Sequence, residues 1–228
     1  VLSKRKTIVA CSTPPGRGAI STVRLSGYKA IDIIQKITRK KLKKNSYILY
    51  FPLDGGLKEK CVLTIFRSPN SYTGENVVEI STHGNPLIVE KVIQQCVNAG
   101  AFIAEPGEFT LRAYLNNKLS IDQSEAVIEV INANSLASLK AAQNSLNGGL
   151  RMRISKVQQK LREARVLVET LIDFVDEDVD IFIEEVKDKI EDFKRFFRSF
   201  DADMKAYSSI SIVVKVVVCL LYTSPSPR

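Results

Sequence analysis

The side chains able to do chemistry are few and widely spaced. Glu79 lies within Asn76–Thr82 (NVVEIST), a β-branched run in which a carboxylate is costly unless something pairs with it. On its own terms it reads equally as half of a structural ion pair and as an acceptor for a ligand's N–H groups. The loop Ser12–Gly18 (STPPGRG) combines two prolines with Gly-Arg-Gly, so it is tight and exposed, with backbone amides and the Arg17 guanidinium on offer. It is a weak phosphate signal and not a Walker loop, because G-x-x-x-x-G-K-[ST] occurs nowhere in the chain. His83 is the single histidine, which excludes a multi-histidine metal centre; without a neighbouring nucleophile it forms no triad, and a capping or packing role is expected. The cysteines, Cys11, Cys61, Cys96 and Cys219, form no C-x-x-C pair, so neither a zinc site nor a disulfide framework is indicated and a reducing compartment is the default. The acidic run Asp173–Asp180 lacks the spacing of a cation loop and reads as a solvated turn before a helix.

These residues must be positioned by two kinds of sequence that meet at Ile103–Ala126 (IAEPGEFTLRAYLNNKLSIDQSEA). Every glycine lies at or before Gly149, and no proline occurs between Gly107 and Pro225. Within the junction, Pro106 suits a first helical turn, with Glu105 and Glu108 near the positive end of the dipole. Arg112 and Lys118 fall near the end of that short helix, and Asn116 and Asn117 suit its termination. Ahead of the junction, Thr7–Cys11, Ala19–Leu25, Ser46–Pro52, Glu59–Phe66, Asn76–Thr82 and Phe102–Ala104 read as strands, with Asp54-Gly55-Gly56 as a hairpin turn. Ser26 is positioned to cap a helix running to about Thr38, and Pro86–Asn98 is an amphipathic helix. Behind it, Ile121–Asn132 and Leu136–Asn147 read as helices. Ile154, Val157, Leu161, Ala164, Val168 and Leu171 then mark a long amphipathic one, and a last helix is expected from about Ile181 to Tyr207. The fold class expected is an α+β domain with a mixed or antiparallel sheet and flanking helices, followed by a helical bundle.

At 228 residues and 45% hydrophobic, the chain can bury one or two ordinary cores. The net charge of +8 is uneven: residues 1–118 carry 18 Lys/Arg against 8 Asp/Glu, and the remainder 15 against 17. A basic front half suits an anionic partner such as RNA or a polycarboxylate, and equally a set of solvated lysines. For the run Arg39–Lys44 (RKKLKK), a solvated helix end is favoured over an RNA contact. The start, VLSKRKTIVA, lacks the apolar segment of a secretory signal. Ser209–Leu221 is too short, and too charged at Lys215, for a membrane helix. The closing CLLYTSPSPR resembles translated library adaptor and is set aside.

Four stretches together resemble the MnmE (TrmE) family of GTPases that modify the wobble uridine of certain tRNAs: TIVACSTPPGRGAISTVRLSG, SPNSYTGENVVEISTHGNP, EPGEFTLRAYLNNKLSIDQSEAV and LIDFVDEDVD. Their number, order and spacing, from about Lys6 to about Tyr207, are far more specific than any one alone. Two positions depart from the pattern: Val175 stands where proline is usual, and Lys6 where an acid is. The resemblance implies a tetrahydrofolate-binding and dimerising domain at 1–118, the first half of a helical domain at 119–208, and at 209–228 the start of a G domain plus a non-native tail. It therefore implies that this stretch does not hydrolyse GTP by itself, GTP, Mg2+ and K+ belonging to a G domain beyond it. It also implies three folate-contacting residues, Arg24, Glu79 and Lys118. A pterin edge offers paired N–H donors that Glu79 can accept, while Arg24 and Lys118 suit carbonyl or carboxylate oxygens. The implied one-carbon donor is 5-formyl- or 5,10-methylene-tetrahydrofolate. The implied partners are a second copy of the chain, the flavoprotein MnmG (GidA) and tRNA, with no membrane, in the cytoplasm or, alternatively, in a mitochondrion or plastid. A folate-dependent aminomethyltransferase and a non-enzymatic RNA-binding scaffold are the competing readings; the helical half argues against the first, and the lack of an RNP-type aromatic motif against the second.

Overall fold

A computed structural model describes residues 6–173 and 187–198. They divide into two compact units, Val1–Ser124 and Glu125–Arg228.

The first unit is built on a six-stranded sheet: β1 (Ile8–Cys11), β2 (Gly18–Ser26), β3 (Ser46–Pro52), β4 (Lys58–Phe66), β5 (Val77–Gly84) and β6 (Phe102–Ile103). The spatial order is β3-β4-β5-β2-β1-β6, antiparallel throughout except for the parallel β1–β6 pair, so the mixed sheet expected from the sequence is present. Alternation along the strands sorts the residues between two faces. Val9, Val23, Leu25, Leu63, Ile65, Val78 and Ile80 point into one core, joined there by Leu49 and Phe51 from β3. Two helices cover that face: α1 (Ala30–Thr38) contributes Ala30, Ile33 and Ile34, and α2 (Pro86–Asn98) contributes Val92 and Cys96. Each of the larger buried side chains stabilises the fold by roughly 1.5–3 kcal/mol relative to exposure. The opposite face carries the intervening residues, among them Thr22, Arg24, Thr64, Glu79 and Ser81.

Local chemistry explains where the elements begin. The second helix starts where expected because Pro86 fills its first position and the Asn85 side chain accepts from the Leu87 N–H at 2.9 Å. By contrast, α1 does not start on a Ser26 cap: it begins at Ala30, and Lys29 makes no capping bond. Ser26 is instead the buried last residue of β2, its hydroxyl held by Thr73 and Glu75 at 2.7 Å each. The turn between them depends on Gly27, at φ 143°, where a Cβ would lie 2.6 Å from the Thr7 backbone. The junction helix α3 (Glu108–Leu115) likewise starts later than its proline suggests. Left-handed Gly107 is its N-cap and Pro106 lies outside; Asn117, also left-handed at φ 56°, follows its end.

In the second unit, α4 (Ile121–Asn132) enters from the first. It is followed by α5 (Leu136–Leu146), which is capped reciprocally by Ser135 and Ser138, and by α6 (Gly149–Asp173). Residues 187–198 are helical and lie beside α6, with the Lys160 ammonium 5.6 Å from the Phe196 ring. On α6, Ile154, Val157 and Ala164 are half-buried, whereas Leu161 and Val168 are exposed. The acidic interruption after Asp173, the ends of the last expected helix and residues 209–228 lie outside the described residues. Among the described residues no helix is long and apolar enough to cross a membrane.

Burial pushes the thiols of Cys61 and Cys96 up from 9.0 to about 12, the nearby Glu59 carboxylate adding to the effect at Cys61. Because the unfolded chain gives up these protons first, their contribution to stability is complete below pH 9 and is lost as pH rises toward 12. Each should cost roughly 1.4 kcal/mol per pH unit in that window. Urea unfolding at pH 8, 9 and 10 should therefore show a shallower alkaline loss for Cys96→Ala than for the parent chain.

Candidate functional site

Arg24 and Glu79 are directly opposed on β2 and β5, so two residues 55 positions apart in the chain become neighbours on the face of the sheet opposite α1 and α2. Arg24 Nε donates to Glu79 Oε1 at 2.9 Å and Nη2 lies 2.7 Å from the same oxygen. The pair is about one-quarter exposed, 27% and 25% for the two side chains, which is open enough for a ligand and closed enough to sharpen electrostatics. Oε2 of Glu79 makes no hydrogen bond among the described residues. Two rings flank the guanidinium, Tyr72 and Phe109, each with its centroid 5.7 Å from Arg24 Cζ. The floor beside the pair is polar: Thr22 and Ser81 face each other in the same register, and Thr64 stands opposite Glu79. Two flat aromatic faces, a planar cation and a carboxylate with one uncommitted oxygen suit a flat heterocycle carrying both N–H donors and carbonyl acceptors.

The rings are brought there by a second, buried charge cluster. Arg112 of α3 is 6% exposed and commits all three guanidinium nitrogens. Nε and Nη2 reach Glu108 Oε1 at 3.2 and 2.8 Å, and Nη1 reaches both Glu75 oxygens at 3.1–3.2 Å and the Lys6 carbonyl at 2.8 Å. Glu75 also accepts from Ser26, and Glu108 Oε2 accepts from the Glu105 N–H at 2.9 Å. Further bonds join the same two segments: Asn116 Nδ2 to the Thr73 carbonyl at 2.7 Å, and Tyr72 to Thr110 through their hydroxyls at 2.9 Å. The loop that carries Tyr72 and the helix that carries Phe109 are thus fastened to one another and to the end of β2.

Of the three residues singled out with the family resemblance, the structure joins Arg24 and Glu79. Lys118 is exposed, and no hydrogen bond or ion pair links it to that pair. Its aliphatic stem lies along the same loop, close enough that a Cβ on Gly74 would sit 3.2 Å from Lys118 Cγ. Tyr72, Phe109 and Arg112 join the site without having stood out in the sequence. A loop tyrosine, a helix phenylalanine and a helix arginine carry no local signal of this kind, because only the tertiary fold brings them to the pair. His83 is exposed and its Nδ1 lies 2.6 Å from Glu59 Oε1, which also accepts the His83 backbone N–H at 3.0 Å near the end of β5. Arg17 is exposed on its loop. Among the described residues no cluster of His, Cys, Asp and Glu could hold a metal ion.

An α+β sheet domain with one face under helices and a charged, aromatic-flanked pair on the other, continuing into long helices, defines a two-part protein of a sheet domain followed by a helical one. Two family models match it in the same order: the N-terminus of GTP-binding protein TrmE over residues 7–118 and the MnmE helical domain over residues 121–210. The chain belongs to the MnmE (TrmE) family. Relatives named tRNA modification GTPase MnmE include that of Francisella tularensis subsp. holarctica (strain OSU18), 39% identical over 218 residues, which is 95% of this chain and 44% of the relative. That of Francisella philomiragia subsp. philomiragia is 44% identical over 189 residues, 80% of this chain and 41% of the relative. The chain therefore spans somewhat under half the length of these relatives.

Removing the Arg112 side chain would leave the buried Glu108 and the partly buried Glu75 without their cation. Arg112→Ala should lower unfolding stability by roughly 3 to 5 kcal/mol. Arg112→Lys should recover little, because a point charge cannot serve Glu75, Glu108 and the Lys6 carbonyl together. Urea midpoints of the three proteins measure this directly.

Proposed function

We propose that the first unit binds a tetrahydrofolate one-carbon carrier, 5-formyl- or 5,10-methylene-tetrahydrofolate, across the Arg24–Glu79 pair. The whole protein, in this reading, is a tRNA modification GTPase. The observation that carries it is the pair itself: a cation and a carboxylate opposed on the open face of a sheet, between two aromatic rings. Glu79 Oε2 is available to accept from a pterin N–H, and the Arg24 fork can hold a carbonyl oxygen beside it. Tyr72 and Phe109 supply apolar faces for the flat ring, and Lys118, whose stem lies close to Gly74 of the same loop, suits a more distant carboxylate. When bound, the carrier would supply the one-carbon unit for an aminomethyl-type group at carbon 5 of the wobble uridine, in concert with the flavoprotein MnmG. No Walker loop occurs in these 228 residues, so we assign GTP, Mg2+ and K+ to another part of the protein. The cytoplasm is the compartment this chemistry and the unpaired cysteines suit.

A homodimer through the first unit belongs to the same reading. Ile48 and Tyr50 of β3 and Val62 and Phe66 of β4 are exposed on the sheet face that also carries Glu79, Ile48 to 72%. An apolar strip of this kind suits a self-complementary contact.

Calorimetric titration with 5-formyltetrahydrofolate tests the site. The parent chain should bind, and Glu79→Gln and Arg24→Ala should each weaken binding by roughly tenfold or more, about 1.4 kcal/mol, with unchanged circular dichroism. Undetectable binding by the parent chain would end the folate reading. Light scattering tests the dimer: a mass that stays monomeric at every concentration would remove it, whereas Ile48→Glu should convert a dimer to monomers.

A further inference from the structure

Between Asp32 and Asp54 the chain contains six cations, Lys36, Arg39, Lys40, Lys41, Lys43 and Lys44, and no acid. All six are exposed. None has an ion pair among the described residues, although the helix that leads into them ends where only two fall in or next to its last turn. Dipole compensation accounts for Lys36 and Arg39 and not for the other four. Five of the six, with Gln35, line one open concavity of about 480 Å³.

The segment is also built to hold its shape. Leu42, in the middle of the basic run, is 4% exposed and packs into the main core. Its N–H donates to Gln35 Oε1 at 2.9 Å. Its carbonyl and that of Lys43 accept from Arg67 Nη2 at 3.1 and 3.3 Å, and the Lys44 N–H donates to the Tyr47 hydroxyl. Arg39, left-handed at φ 54°, turns the chain out of α1. Crowded like charges repel, and ordering them on a fixed loop forgoes the entropy that lets solvated lysines separate. A polyanion with regularly spaced charges relieves both costs, and releases counterions as it does so.

We propose that this loop is an RNA-docking surface that holds the phosphodiester backbone. No exposed aromatic lines the concavity, so the surface reads charge and shape rather than base sequence. The proposal goes beyond the folate site and rests on the tRNA part of the reading above.

Fluorescence anisotropy with a labelled tRNA, over 50–200 mM salt, tests it on the full chain. The triple variant Lys40→Gln/Lys41→Gln/Lys43→Gln should bind at least tenfold more weakly. Its log–log salt slope should be shallower by roughly 2 to 3, close to 0.9 for each phosphate that is no longer neutralised. A charge-matched variant of exposed lysines elsewhere in the unit, Lys29→Gln/Lys58→Gln/Lys60→Gln, should change affinity less than threefold. Equal losses in the two triples, no loss in the first, or no tRNA binding by the parent chain would overturn the proposal. So would displacement of the tRNA by polyglutamate at matched charge, which would assign the surface to an acidic protein. Titration of the first triple with 5-formyltetrahydrofolate separates the two ideas, since the folate site should bind normally in it.

Discussion

The arrangement around the candidate site depends on one buried cation. Arg112 faces two carboxylates, Glu75 and Glu108, inside the first unit, and its remaining hydrogen-bonding capacity goes to the Lys6 carbonyl. Buried charges are tolerated only when they are paired and their remaining donors are used. That requirement fixes the geometry of three separate pieces of chain at once: the approach to β1, the loop after β4 and the junction helix α3. Tyr72 and Phe109 sit on two of those pieces, so the distance between the rings is set by an ion cluster that touches neither. The candidate site is thereby shaped by groups that do not touch its two rings.

A division of labour between the faces of the sheet follows. One face meets α1 and α2 and is largely apolar, which supplies the hydrophobic stabilisation. Relieved of that duty, the other can keep residues poor for stability and useful for recognition: an arginine, a glutamate, and hydroxyls at positions 22, 64 and 81. The cost of a strand carboxylate is met by its cross-strand partner at 2.7 Å rather than by burial.

Much of this was legible in the sequence, because some signals are local. The bounds of α2 follow from Asn85, Pro86 and the glycine at 100, and the left-handed stop after α3 follows from its paired asparagines. Glu79 stands out as an expense, so the need for a partner can be read. The partner's identity cannot, since Arg24 lies 55 residues earlier and only strand register joins them. Ser26 misleads for a related reason: a serine ahead of an apolar period looks like a cap, yet tertiary partners 47 and 49 residues away claim its hydroxyl. Arg112 looks like an ordinary cation near a helix end because burial has no signature in a single position of a short helix.

Leu42 shows how a lone aliphatic residue can govern a charged surface. The lysines around it are interchangeable to a first approximation, since any of them can be replaced by arginine without altering the field. The leucine is not, because among residues 39–45 its side chain is the one buried in the core. Among related chains this loop should therefore drift freely in which cation stands where, while its one greasy position stays fixed, a pattern opposite to the usual expectation that binding residues are the invariant ones.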